Sequence, residues 1–409
     1  MSNTTARSSK ECRMELVRRT WTPKPILDPE ITKDLPMIDA YVGILKEKKN
    51  IATAIKSIST ILPYFDHLKR CSANKILLAP VRSFDLNDDN IISNQDRLKS
   101  FLKDNKFDLS ILEDDLRVIK VPGTSGKSKT QAARASKIWP LRFHPDPFLE
   151  AIIDGSIFNE DQLEGIEKYM SVAITAAKLE AIGNDSCNGS AVIVDPENDG
   201  RILAIAASKI DQHPMWHASM LAIDLVAKLH GGGAWKLYSN NDIIELPDDK
   251  NNDDNFDKRM KIIKRKYEEH APLCYPKTLL SNVRIPNVES FDAKWKLQGR
   301  RNNGSKKANS NVNINSKEKS GPYLCTGCWV FLLMEPCPMC AMALLHSRVG
   351  KIFYGVSNDK TGVLGSNGIL HAVPGLNHRY QVWSGILEET CKEVSKEIQL
   401  KNVESIIQI

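Results

Sequence analysis

One imidazole and two thiols stand in this chain at spacings that suit a metal. His217 opens the triplet His217-Ala218-Ser219, and Cys337 and Cys340 lie in Pro336-Cys337-Pro338-Met339-Cys340. Neutral imidazole and thiolate are zinc donors, and three protein ligands leave a fourth tetrahedral position open, as in hydrolytic zinc sites. In the pattern H-x-E with P-C-x-x-C, the Glu moves protons between an activated water and the leaving group. Ser219 occupies that place. A serine hydroxyl stays neutral near pH 7 and does not cycle between acceptor and donor, whereas general acid/base catalysis contributes roughly 10²–10⁴-fold. The pattern predicts a Zn²⁺-holding fold with no turnover of its own.

Other residues compete for these roles. Cys325 and Cys328 extend the pattern to C-x₂-C-x₈-C-x₂-C, whose middle spacing falls short of the ~15–20 residues of a Cys₄ site. The apolar run 329–334 reads as a buried strand that separates the two pairs by roughly 20–30 Å at ~3.3 Å per residue. Cys325 and Cys328 therefore read as buried thiols at a strand entry. Cys12, Cys71, Cys187, Cys274 and Cys391 lack metal spacing, and an odd total with two C-x-x-C pairs argues for thiols and metal over disulfides. Glu335 abuts the motif and reads as an orienting carboxylate, not a substitute proton carrier.

The elements that must hold these residues alternate between strand and helix. Residues 161–179 read as a helix, 190–194 and 202–208 as strands about a turn at Asp195-Pro196, and a helix opens near His217 and stops at Gly231-Gly232-Gly233. Then come a strand at 329–334, a helix at 338–346, strands at 351–355 and 380–384, and a polar helix from Ile386. The fold class is α/β, a three-layer α/β/α sandwich over 147–409. His217 and Cys337 are 120 positions apart because Asn/Asp-rich and Lys/Asn-rich sequence intervenes. It buries too little apolar surface to offset ordering entropy, so 238–320 reads as an exposed, partly disordered insertion with a short basic helix at 258–266.

Residues 1–116 read as a separate N-terminal module. Runs at 14–17, 38–45, 75–81 and 116–121 have strand length, and 51–62 and 94–102 show helical spacing, a pattern that suggests a ferredoxin-like α+β fold. Residues 117–146 read as a basic connector. From 117 to 142 there are seven basic residues, Arg117, Lys120, Lys127, Lys129, Arg134, Lys137 and Arg142, and no acidic one. Single-signed runs supply the sequence-independent part of nucleic-acid affinity, so Lys120, Lys127, Lys129, Arg134, Lys137 and Arg142 are candidate phosphate contacts. Gly123-Thr124-Ser125-Gly126-Lys127-Ser128 fails the phosphate-loop pattern, since Val121 stands at the first glycine position.

Composition bounds the partners. A net charge of +6 and a pI near 8.7 over 409 residues permit a polyanionic partner without demanding one. No apolar run approaches the ~18 residues of a membrane span, and residues 1–10 have no apolar core of a signal peptide. The expectation is a soluble intracellular protein with no membrane partner, in which N-x-Ser/Thr triplets such as those at Asn3, Asn188 and Asn303 are chance.

A set of motifs then resembles one family. They are Trp139-Pro140 with Phe143-His144-Pro145, His213-Pro214-x-x-His217-Ala218 with Met220, and Tyr323-Leu324-Cys325-Thr326-Gly327. They continue through Glu335-Pro336-Cys337-x-Met339-Cys340-Ala341-Met342-Ala343-Leu344-x-His346-Ser347-Arg348, Gly362 with Leu364-Gly365-Ser366, Leu376-Asn377-His378 and Val382. Over about residues 135–385 the chain resembles the non-catalytic subunit of the eukaryotic heterodimeric tRNA adenosine deaminase, which converts wobble adenosine to inosine. Ser219 where the family usually has Val, Cys328 where it has an aromatic, and the long insertion are departures. The resemblance implies a cytidine-deaminase-like fold, Zn²⁺ on His217, Cys337 and Cys340, and residence in nucleus and cytoplasm. It also implies a catalytic partner carrying His-x-Glu, and tRNA as the second partner. Two other functions fit the residues less well. An autonomous cytidine or deoxycytidylate deaminase would need an unconventional base such as Glu335, and an RNA-binding scaffold would need no deaminase partner at all.

Overall fold

The computed structural model describes residues 19–83, 94–184, 189–237, 271–286 and 324–407. Strands are β1 (Lys24–Pro25), β2 (Met37–Ile44), β3 (Cys71–Ser72), β4 (Lys75–Pro80), β5 (Arg117–Pro122), β6 (Ser190–Asp195), β7 (Arg201–Ala207), β8 (Leu273–Tyr275), β9 (Trp329–Met334), β10 (Lys351–Val356) and β11 (Gln381–Ser384). Helices are α1 (Pro29–Thr32), α2 (Ile51–Ile61), α3 (Asn94–Asp104), α4 (Lys129–Ser136), α5 (Pro147–Asp154), α6 (Glu160–Glu180), α7 (Ala218–Leu229), α8 (Thr278–Asn282), α9 (Pro338–His346) and α10 (Glu388–Ile407). The chain divides into a unit over Leu27–Asn159 and a second over Glu160–Ile409 together with the segment ending at Ile26.

The first unit is built on a sheet of order β3-β4-β2-β5 with every neighbouring pair antiparallel. In α2 the isoleucines at 51, 55, 58 and 61 recur at helical spacing, and Ala54 and Ile58 are fully buried against Leu98 and Leu102 of α3 and Ile76 and Leu78 of β4. The opposite sheet face is covered too. Ala40, Val42, Leu77 and Val121 pack there against Ala135, Trp139 and Leu141. The elements expected at 38–45, 51–62, 75–81, 94–102 and 116–121 coincide with β2, α2, β4, α3 and β5 to within two residues, and 14–17 lies outside the described residues.

Residues 117–146 are not a connector. Residues 117–122 form the edge strand β5, paired along its length with β2, and 129–136 form α4, whose Ser128 side chain caps it by accepting from the Gln131 amide. The run looks like a linker in sequence because an edge strand and an amphipathic helix turn their Lys and Arg to water while burying a sparse set of apolar residues. The unit therefore extends past the expected boundary at 116, to Asn159.

The second unit holds a mixed sheet of order β1-β11-β10-β9-β6-β7-β8. Strands β6, β9 and β10 read as continuous apolar runs, and both faces are covered as such runs require. Helices α6 and α10 pack on one face, α7 and α9 on the other, so the architecture is α/β/α. Under α6 the rings of Phe331, Phe353 and Trp383 stack in a row, with centroids 4.9 and 5.1 Å apart. Under α7 and α9 lie Ile193, Ala204, Leu221, Leu225, Val330 and Leu344. At the sheet's outer edge β1 pairs antiparallel with β11, Lys24 opposite Ser384.

The helices and strands expected between 161 and the C-terminal region all occur at the expected places. The insertion differs in part. Within 238–320, β8 adds to the sheet parallel to β7, and Cys274 and Leu279 are buried. A three-residue strand between polar tracts is too short to carry a period, which is why it is invisible in sequence. The helix expected at 258–266 lies outside the described residues.

Candidate metal centre

Topology explains how candidate ligands 120 residues apart meet. β6 pairs antiparallel with both β7 and β9, so β7 and β9 run in the same direction and end at the same edge of the sheet. The helix after each begins at that edge. His217 is the N-cap residue of α7, and Cys337 is the N-cap of α9 with Pro338 in its first turn. His217 Nδ1 lies 3.6 Å from Cys337 Sγ and 3.4 Å from Cys340 Sγ, and all three side chains are buried. Among the described residues this is the group of His, Cys, Asp and Glu side chains placed to hold a metal.

The electrostatics suit thiolate ligands. Contact with the Cys340 thiol, then with His217, holds the Cys337 thiol down at about 4 despite burial, and two helix N-termini direct positive dipole ends at the sulfurs. Cys325 and Cys328 are buried away from this group, and desolvation pushes the Cys325 thiol up to about 12. The donor chemistry and mutual reach of His217, Cys337 and Cys340 fit zinc, with a fourth position facing a cleft lined by Gly189, Ser190, Ser219, Leu332 and Glu335.

Among the described residues lining that cleft, Ser219 and Glu335 stand where a proton carrier could act. Ser219, two residues into the metal-side helix, is buried. Glu335 is buried and fully engaged: Oε1 accepts from the amides of Leu364 (2.7 Å) and Ser366 (3.0 Å), and Oε2 accepts from the amide of Asn358 (2.9 Å) and the hydroxyl of Ser366. Its carboxylate ties down the turn 358–366. The Gly362, Leu364-Gly365-Ser366 motif is the signal in sequence that could have pointed to this role.

The candidate phosphate contacts all belong to the other unit. Lys120 is on β5, Lys127 precedes α4, Lys129 and Arg134 are on it, Lys137 caps its end and Arg142 follows; all six are exposed. Two of them are neutralised locally. Lys127 pairs with Glu30, and Arg134 with Asp34 at 2.6 Å. Among the described residues no carboxylate pairs with Lys120, Lys137 or Arg142.

No protein-family model matches the chain. Curated proteins do match, nearly end to end. A Danio rerio protein named "Probable inactive tRNA-specific adenosine deaminase-like protein 3" is 29% identical over 391 residues, 92% of this chain and 95% of its own. "tRNA-specific adenosine deaminase TAD3" of Arabidopsis thaliana is 26% identical over 404 residues, covering 90% of this chain and 94% of its own. The chain is thus similar along most of its length to proteins named as tRNA adenosine deaminases or their inactive relatives. A solved structure from work on A-to-I editing by tRNA:A34 deaminases overlays on 50% of this chain and 83% of its own at 16% identity and a TM-score of 0.24, too loosely to carry an argument.

Proposed function

We propose that this chain is the non-catalytic, tRNA-gripping subunit of a two-chain enzyme that hydrolytically deaminates wobble adenosine to inosine. The observation that carries the proposal is the pairing of a complete His/Cys/Cys donor set with a serine where the proton carrier belongs. Glu335 cannot replace the missing Glu, since four donors from the turn 358–366 already hold its carboxylate. Turnover therefore falls to a partner deaminase with an intact His-x-Glu, and this chain acts in nucleus and cytoplasm wherever that partner does.

His217, Cys337 and Cys340 would hold Zn²⁺, and their shared coordination would tie the starts of α7 and α9 together. The cytidine-deaminase-like reading of the second unit is supported by its α/β/α layers and by the ligand helices entering from parallel strands. The first unit's element order β-α-β-β-α-β and its sheet order support the ferredoxin-like reading. Phosphate contact then rests on Lys120, Lys137 and Arg142, which pair with no carboxylate among the described residues, with Lys129 on the same stretch and Lys127 and Arg134 weakened by their carboxylate partners. Shape and backbone contacts of this kind dominate recognition of folded RNA.

The test is co-purification of the tagged chain from its own cells, followed by an inosine assay on tRNA. Stable association with a His-x-Glu deaminase, and inosine formation by the pair but by neither chain alone, is the expected result. Deamination of tRNA, cytidine or deoxycytidylate by the isolated zinc-loaded chain would overturn it in favour of an autonomous enzyme.

A further inference from the structure

The loop that leads into the metal-side helix carries an aromatic cluster that the metal centre does not use. His213 and Trp216 are stacked with centroids 5.7 Å apart at 27°, Trp235 stands against both at 6.3 and 6.4 Å, and Tyr275 meets Trp216 edge-on at 5.5 Å. Tyr275 is buried, but His213, Trp216 and Trp235 are only partly covered, and Met215 between them is 39% exposed. The rings are held in place by backbone bonds. Trp216 donates its amide to the His213 carbonyl and accepts from the Lys209 amide, while His213 Nδ1 accepts from the Met215 amide, which leaves the ring proton of the neutral form on Nε2. On the other side the buried Asp224 carboxylate accepts from the amides of Ala234 and Trp235 and fixes that loop. The Trp216 indole N–H is buried without a hydrogen-bond partner among the described residues.

We propose that His213, Trp216 and Trp235 form a shelf on which one unpaired nucleobase of single-stranded RNA stacks. The inference rests on the RNA-binding reading above and adds to it a second contact, on the unit that holds the metal ligands. Base–aromatic stacking is sequence-tolerant and needs rigid, partly exposed ring faces, which these hydrogen-bonded loops supply before any ligand arrives. Charge decides against the other common occupant of such a cluster, a methylated ammonium. Lys236 follows Trp235 in the chain, is exposed and favours a phosphate-linked ligand; Lys228 and Lys209 are neutralised by Asp224 and Glu180, and Asp211 lies on the Tyr275 side.

The experiment measures binding of the full chain to a fluorescent eight-nucleotide single-stranded RNA, to the same sequence as a duplex, and to whole tRNA. Trp235→Ala is expected to weaken single-strand binding roughly five- to a hundredfold with an unchanged salt slope, Trp235→Phe to restore most of it, and the duplex to respond to neither. Unchanged single-strand affinity in a Trp235→Ala chain that keeps its zinc content and melting temperature overturns the shelf. Should Trp235→Ala misfold, photocrosslinking of a 4-thiouridine oligonucleotide to the unaltered chain replaces it. Crosslinks on residues 213–216 or on Trp235 support the shelf, and crosslinks confined to other peptides overturn it. tRNA binding that needs Lys120 and Arg142 but not these rings leaves the proposed function standing while the shelf falls. An unaltered chain that binds no RNA removes both.

Discussion

A Cβ placed on Gly362 would fall 2.3 Å from Cδ of Glu335. The turn 358–366 is wrapped so closely around that carboxylate that no side chain fits between them, and its amides and the Ser366 hydroxyl converge on the two oxygens. Removing one partner of a buried hydrogen bond costs about 1–3 kcal/mol, more for charged groups. Glu335→Gln puts an amide donor among donors and is expected to lower stability by about 2 kcal/mol or more. Gly362→Ala should do the same by steric displacement. Chemical denaturation of the purified chain checks both, and a Glu335→Gln variant as stable as its parent would contradict the assignment.

Zinc content separates the two C-x-x-C pairs. Cys337→Ser is expected to remove most of the bound zinc and lower the melting temperature, because structural zinc reaches apparent binding free energies of roughly 10–16 kcal/mol in small domains. Cys328→Ser should leave the metal in place. Metal analysis of the two variants decides, and full zinc occupancy after replacing both Cys337 and Cys340 would remove the site.

Ser219→Ala should leave inosine formation by the assembled pair within about twofold, since a neutral hydroxyl contributes no general acid/base step. Replacing the partner's Glu should abolish it. Activity that falls with Ser219→Ala while assembly and zinc persist would place part of the chemistry in this chain.

The His217, Cys337 and Cys340 cluster was legible in sequence because its members sit beside element boundaries with strong local signals: an apolar strand, then Pro338 opening a helix, and glycines closing another. Ser219 was legible for the same reason. The first unit's second face was not, because Val121, Ala135, Trp139 and Leu141 are spread thinly among exposed cations and show no period of their own. β8 was missed for its length, and the aromatic cluster because its members come from three separate loops and strands that only the tertiary fold joins.

The same cations give a prediction about salt. Each lost phosphate contact lowers the slope of log affinity against log salt by about 0.7–0.9. Lys120→Ala, Lys137→Ala and Arg142→Ala together should weaken tRNA binding and flatten the slope by roughly 2–3 units. Lys127→Ala with Arg134→Ala should do less, since Glu30 and Asp34 already hold those charges. Affinities titrated from low to high salt compare the two sets, and the reverse ranking would relocate the contact.

Lys351 predicts a dependence on pH. It is buried on the α6 side of the sheet, its Nζ 4.4 Å from the Trp329 ring and 5.7 Å from Trp383, and desolvation pushes its ammonium from 10.5 down to about 7. The unfolded chain binds this proton between pH 7 and 10.5 while the folded chain does not, so this lysine's contribution to stability falls as pH drops through that window and is flat below it. The indole faces oppose the penalty by favouring charge. Lys351→Met is expected to raise the melting temperature, with a larger gain at pH 7 than at pH 10. Equal gains at both would show that the charge is carried in the folded state throughout.

The antiparallel pairing of β1 with β11 makes the first unit a guest looped out of the second. The host chain begins its own sheet edge at Lys24–Pro25, departs, and returns at α6, so the guest is tethered at both ends. Truncating everything before about residue 135 strips that edge strand and bares the backbone donors and acceptors of β11, a template for aggregation. Excision of 27–159 with a flexible Gly/Ser bridge from Ile26 to Glu160 retains β1 opposite β11, and is the form in which the unit carrying His217, Cys337 and Cys340 is best assayed by itself.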